Sequence, residues 1–232
     1  MARIYHGNRV SGDFSSVVSY ARTDLKHFLD VFGKAPPAMF RRRPELDQWV
    51  TTNKLSWEPI PRSDCKIRIY GELEAVGEYV LYSQLWAEAA YKPYRRPWAA
   101  YHASSDKVAV KLLKTMHADH VINKERILPN FPAAWVMLFP VPGNSNSPFG
   151  SLIEHQLPCL SDVEVGRDGY AIDGLVGFKI FSTEYPRTEA ELQEQLKAVC
   201  GQVPDWFYRE VECAIKAKWV QKAGAKNAPS KS

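Results

Sequence analysis

No stretch of this 232-residue chain has the composition of a linker. Without a run rich in Gly, Ser or Pro between two self-sufficient cores, one domain over residues 1–220 is expected. The chain also lacks any window of roughly 18 to 20 apolar residues, the length that a membrane-crossing helix needs. Its longest apolar run, Phe131 to Val141, is interrupted by Pro132 and Pro140. The first residues, Met1-Ala2-Arg3-Ile4-Tyr5-His6, show neither the apolar segment of a secretory signal nor the Arg/Ser pattern of a transit peptide. The expectation is a soluble, intracellular protein, with cytosol and organelle left open.

Cysteine is scarce. Cys65, Cys159, Cys200 and Cys213 lie far apart in sequence and none forms a metal-knuckle spacing, so free thiols are expected. Missing too are the P-loop, the GxGxxG fingerprint, the GxSxG elbow and the HExxH pair. Gly166-Arg167-Asp168-Gly169 and Gly174-Leu175-Val176-Gly177 have the wrong spacing for a phosphate cradle. No cofactor is therefore expected, and a small-molecule substrate ranks below macromolecular partners. Acidic residues are absent from the C-terminal end, where five lysines follow Glu212. Without them the remainder of the chain sits near −1, so the basicity belongs to the tail and not to the body. Residues 221–232, built from Ala, Gly, Lys, Asn, Pro, Ser and Gln, cannot form a core and are expected to be a disordered basic tail.

What is present, 45% hydrophobic and 24% charged residues, is the balance of a globular protein. From Asp13 to Phe32, apolar residues at Phe14, Val17, Val18, Ala21, Leu25, Phe28, Leu29 and Phe32 fall on one helical stripe, closed by Gly33. Pro44 opens a short helix through Trp49. Cys65 to Gly71 alternates as a half-exposed strand. Glu72 to Ala90 reads as a helix apolar on most sides, with Glu74, Glu78 and Glu88 along one side. Tyr91 to Trp98 reads as a loop, followed by a helix from Ser104 or Ser105 to His117 or His120. Trp135 to Val141 reads as a buried strand, and Asp162–Val165 and Leu175–Phe181 as two further strands joined by a turn at Arg167-Asp168-Gly169. Thr188 and Glu191 form a capping box before a helix burying Leu192, Leu196 and Val199. Pro204 opens a last helix burying Phe207, Val211 and Ile215. The fold class is α+β: amphipathic helices at both ends packed around a small, mainly antiparallel central sheet.

Four constellations bear on chemistry. His117-Ala118-Asp119-His120, on a helix, would turn both imidazoles to one face, where a zinc ion could take a third ligand from Glu154 or His155. Half-exposed histidines account for the pattern more simply. Cys159 stands near His155 and Asp162, but a buried structural thiol explains it better than a nucleophile does. The three glutamates fit a solvated stripe. Basic residues interleave with aromatics at Arg41-Arg42-Arg43 and at Tyr94, Arg95, Arg96, Trp98 and Tyr101, and Lys218 and Lys222 add charge near the C-terminus. Tyr, Trp and Arg together suit a protein interface, and stacked aromatics among cations suit single-stranded nucleic acid.

The reading preferred on sequence is a non-catalytic structural or interaction subunit of a larger protein or ribonucleoprotein assembly. A single-stranded RNA-binding protein comes second, and a metal-dependent hydrolase using His117 and His120 a distant third. The stripe through Phe28 makes the first helix a core element, so Phe28→Ala should cost about 3 to 5 kcal/mol. An unchanged midpoint in chemical denaturation would take that helix out of the core.

Overall fold

The computed structural model describes residues 15–60, 66–75, 77–102, 111, 114 and 116–226. The chain begins with α1 (Ser15–Phe32), β1 (Pro37–Phe40), α2 (Arg43–Thr52) and β2 (Ser56–Pro59). It continues through β3 (Lys66–Ala75), β4 (Glu78–Glu88), α3 (Arg95–His102), β5 (Met116–His120) and α4 (Lys124–Ile127). Then come β6 (Trp135–Pro142), α5 (Gly143–Leu152), a 3-10 turn (Glu154–Gln156), β7 (Tyr170–Ala171), α6 (Gly174–Phe181), α7 (Glu189–Cys200) and α8 (Asp205–Lys226). This is the expected α+β class, with helices at both ends around an antiparallel sheet. No described helix is long and apolar enough to cross a membrane.

The strands pair in the order β2-β3-β4-β6-β1-β7, with β5 added to β6. Leu138 pairs with Leu85 of β4 and His120 of β5, while Val136 pairs with Ala87 of β4 and Met39 of β1. β4 therefore covers one side of β6, and β1 and β5 share the other side end to end. Among the described residues β5 has no second neighbour, so it is an edge. Period-two alternation divides the side chains between two apolar clusters. Ile67, Ile69, Leu73, Val80, Tyr82, Trp86, Met137 and Phe139 join the larger cluster with α6, α7 and α8. Leu85, Ala87, Ala118 and Leu138 join Trp98 and Ala99 in a smaller one on the opposite face. α1 spans both, Val17 in the smaller and Leu25, Phe28 and Leu29 in the larger.

The helix expected over Glu72–Ala90 is instead the β3–β4 hairpin, joined by residues 76 and 77. Val76, Val80, Leu81 and Leu85 satisfy helical spacing, but Val80, Tyr82 and Trp86 also lie on one face of a strand. The aromatic and β-branched content, with Gly77 at φ +82°, decides for the hairpin. Glu74, Glu78 and Glu88 consequently form no stripe, since Glu88 sits at the far end of β4 from Glu78. Leu175–Phe181 is helical, not extended. Its apolar residues are buried on every side, which erases periodicity, and the Asp173 carboxylate caps it by accepting from Val176 N at 2.8 Å. Asp162–Val165 forms turns and no strand. Most of the helix placed from Ser104 or Ser105 to His117 or His120 lies outside the described residues, and β5 holds both histidines in extended backbone. The loop at Tyr91–Trp98 becomes helix from Arg95 onward. α8 runs to Lys226, so residues 221–226 continue a helix where an unstructured tail was expected, and 227–232 lie outside the described residues. Asp13 and Phe14 lie outside them too.

α6 is the pivot of the larger cluster. It lies against α8 so closely that a Cβ on Gly174 would come within 2.5 Å of the Glu210 carbonyl oxygen, and one on Gly177 within 2.7 Å of the Phe207 ring. At its other end the Arg22 guanidinium of α1 donates to the Ile180 and Ser182 carbonyls at 2.7 Å each, satisfying C-terminal acceptors that the helix leaves open. Gly174→Ala presses on backbone that cannot step aside, so it should cost about 1 to 3 kcal/mol by overpacking. Gly201→Ala, where nothing lies within 4 Å of the new carbon, is the control. Equal denaturation midpoints for the two variants would disprove the close helix contact.

Candidate functional site

The sequence of α6, Gly-Leu-Val-Gly-Phe-Lys-Ile-Phe, is apolar but for Lys179, whose side chain is 1% exposed. An ammonium in such a place must be paired. Its partners come from two other elements. Asp119 of β5 ion-pairs with Nζ, and both carboxylate oxygens of Glu154 in the 3-10 turn accept from it at 3.1 Å. The Phe149 ring lies 5.7 Å away. Burial alone would push the Lys179 pKa down, but attraction by Asp119 and Glu154 outweighs it and the pKa is raised. Burial, reinforced by Asp119, pushes the Glu154 carboxyl up against the opposing pull of Lys179. The lysine thus keeps its charge, and burial holds the Glu154 carboxyl above its ordinary range.

Asp119 and Glu154, the two acids that hold the buried Lys179, form the floor of a cleft of about 710 Å³ at the edge of β5. Tyr91, Lys92, Tyr94 and Arg95 line one wall, Lys124 and His155 another, and Asn146, Ser147 and Ser151 of α5 a third. Lys92, Arg95 and Lys124 are exposed, so the rim is cationic. His155 meets the Glu125 carboxylate at 2.7 Å. An adjoining depression of about 800 Å³ is lined by Tyr185 and Arg187, and it too is bordered by Ser147 and Ser151. Those two serines sit one helical turn apart on α5, so the two hollows meet along one face of that helix.

His120 follows Asp119 in β5 and faces the other side of the sheet, in a row with Arg68, Leu85 and Leu138. The Tyr94 ring lies 4.2 Å from its ring, centroid to centroid. It bonds to the Glu88 backbone, while Nε2 is buried without a hydrogen-bond partner. Burial pushes its pKa down to about 4, so the imidazole is neutral. His117 looks the opposite way, its Nδ1 3.3 Å from Asn146 Nδ2. Strand geometry therefore separates the two histidines that a helix would have brought together, and no group of three metal-ligating side chains occurs among the described residues. The sequence offered Glu154 or His155 as a third ligand beside His117 and His120; His120, Glu154 and His155 line the cleft together with Asp119, and His117 does not. Lys179 was missed, although a single charge inside an eight-residue apolar run was the signal that acids must converge on it.

Of the basic and aromatic candidates, Tyr94 and Arg95 line the cleft and the others do not. Arg41 bonds to the carbonyls of Asp162 and Val165. Arg42 pairs with Glu45 at 3.2 Å and is exposed. Arg43 pairs with Asp47 at 2.7 Å and lies between the Trp57 and Trp135 rings, 4.6 and 4.9 Å from their centroids. Arg96 is exposed on α3. Trp98 is 1% exposed and belongs to the smaller core, where Tyr101 packs partly buried beside it and 5.6 Å from the Arg68 guanidinium. Lys218 and Lys222 lie on α8. Cys159 is exposed and donates to the Glu125 carbonyl, while Asp162 turns to Arg41 at 3.6 Å, so no nucleophile, base and orienting acid line up there.

A buried neutral histidine leaves a mark on stability. The unfolded chain binds a proton at His120 near pH 6.5, whereas the folded chain waits until about pH 4. Between those values the unfolded state holds more protons, so stability falls as pH drops through the window and levels off below it. The loss is on the order of 3 kcal/mol for this group. His102, whose pKa burial also pushes down to about 4, contributes separately. His120→Gln should therefore flatten, but not abolish, the decline of the urea midpoint across that window. A profile parallel to that of the unsubstituted protein would mean that His120 is solvated.

Comparisons with protein-family models, with curated proteins and with solved structures find no match to this chain.

Proposed function

We propose that the cleft at the edge of β5 binds single-stranded nucleic acid. The observation that carries this reading is the gathering of Tyr91, Lys92, Tyr94, Arg95 and Lys124 around one polar hollow. Such a ligand needs faces on which bases stack and cations that follow the phosphates, and this rim supplies both. The meeting of two hollows along Ser147 and Ser151 favours an extended strand over a single nucleotide. The floor adds donors and acceptors in Asn146, Glu154 and Asp119 for base edges or ribose hydroxyls.

The interaction-subunit reading takes second place, because two of its supports are spent elsewhere. Trp98 is core, and the segment thought apolar on all sides is a sheet hairpin with its own two neighbours. What still favours a protein contact is the exposure of Tyr20, Tyr79 and Leu81.

Titration of the full chain with a labelled single-stranded oligonucleotide at about 50 and about 200 mM salt tests the proposal. Affinity should weaken steeply with salt. Arg95→Ala and Lys124→Ala should each reduce the logarithmic salt slope by roughly 0.7. Tyr94→Ala should remove about 1 to 3 kcal/mol of stacking. Binding that is absent, or indifferent to these changes, refutes the assignment.

A further inference from the structure

Resting on that reading of the cleft, we infer that the base it selects is guanine, held by the Asp119 carboxylate along its Watson–Crick edge. The cationic rim follows phosphates of any sequence, and tyrosine rings stack on any base. Base identity in a single strand is read by hydrogen bonds to base edges, and the groups placed to make them lie on the floor.

That floor is rich in acceptors. Asp119 and Glu154 bring two negative charges to a single ammonium, so one charge stays uncompensated. Two carboxylates offer about eight lone-pair sites, and an ammonium has only three donors. Glu154 turns both oxygens to Lys179. Asp119 engages it through Oδ2 alone, keeps 16% of its side chain exposed, and receives no hydrogen bond at Oδ1 from any described residue. His120 lines the same cleft from the other face of β5 and is 4% exposed. Its ring donates to the Glu88 backbone, which leaves the lone pair on Nε2, and that atom has no hydrogen-bond partner among the described residues. Two successive residues thus set acceptors without donors at one edge of the sheet, and a ligand that donates would satisfy them.

The charge decides which way a strand lies. A negative floor repels phosphates, so the backbone follows Lys92, Arg95 and Lys124 at the rim and base edges point inward. Among the bases, guanine sets two donors side by side, its N1–H and its 2-amino group. Adenine and cytosine place a bare ring nitrogen next to their amino group, and uracil flanks its one N–H with two carbonyls. Each of those three turns a lone pair towards the carboxylate, and guanine does not. Lys179, beneath the floor, acts as a positioning residue that keeps Asp119 ionised and in place. Since the contact is to the base, ribose and deoxyribose strands both qualify.

The test measures binding of the full chain to labelled uridine oligonucleotides that differ at one central position, at about 50 mM salt. Guanine there should bind at least about fivefold tighter than adenine, cytosine or uracil. Inosine, which lacks the 2-amino group, should fall between. 1-Methylguanine should lose the advantage, and 7-deazaguanine, altered only on the opposite edge, should keep it. Asp119→Asn, which gives up the charge and adds donors, should bring the guanine strand within about threefold of the others and leave the salt slope unchanged. If that variant does not fold, the modified bases decide alone. Equal affinity for all strands overturns this inference and leaves the binding assignment standing. A guanine preference that survives 1-methylation, disappears with 7-deazaguanine, or persists in folded Asp119→Asn likewise overturns it. Absence of binding overturns both readings together.

Discussion

The Lys179 ammonium, held between Asp119 and Glu154, is the interaction on which the rest of this structure turns. Three charged groups in the interior carry a large desolvation cost, and only mutual pairing makes it tolerable. Withdrawing the ammonium leaves two acids facing each other without a counter-charge, so the edge strand β5, the 3-10 turn and α6 are bound to one arrangement. Well-packed apolar residues would hold these three elements together at least as firmly. That the chain keeps ions there, at the bottom of a hollow, is the physical reason to look for chemistry at this place and not elsewhere on the surface.

The sheet arranges the rest. Because β1 and β5 share one side of β6, β5 ends in the open, and its two faces deliver different groups to the same hollow. Asp119 turns to the helical layer and meets Lys179. His120 turns to the opposite face and meets Tyr94. A period of two, which divides apolar residues between two cores elsewhere in the sheet, here splits an acid from a neutral base across the thickness of one strand. Trp86, Trp98 and Trp135 fill the interior, and Tyr91 and Tyr94 occupy the cleft wall.

Legibility in the sequence tracked how unambiguous each periodicity was. α1 was readable because its stripe is long and unbroken, and α7 because Thr188 and Glu191 mark its start with side-chain chemistry. The β3–β4 hairpin was not, since two short strands in succession mimic one amphipathic helix when their turn is a single glycine among larger residues. α6 was misread because complete burial leaves no polar face to mark its period. For the cleft, residue types were visible and geometry was not. Asp119, His120, Glu154 and His155 stood out as polar groups able to converge, but whether 117 and 120 share a face depends on strand or helix, and that choice is made by β6 and not by the local sequence.

The close approach of α6 to α8 has a consequence for how kin of this protein could be found. From Asp173 to Lys179 the chain reads Asp-Gly-x-x-Gly-x-Lys, and every fixed position answers to a separate demand. The aspartate closes the first turn, the two glycines admit the neighbouring helix, and the lysine awaits two acids supplied from far away in sequence. Demands of such different origin do not drift together, so this heptapeptide, accompanied by an Asp-His pair and a later glutamate, is a fingerprint that can outlast overall sequence similarity.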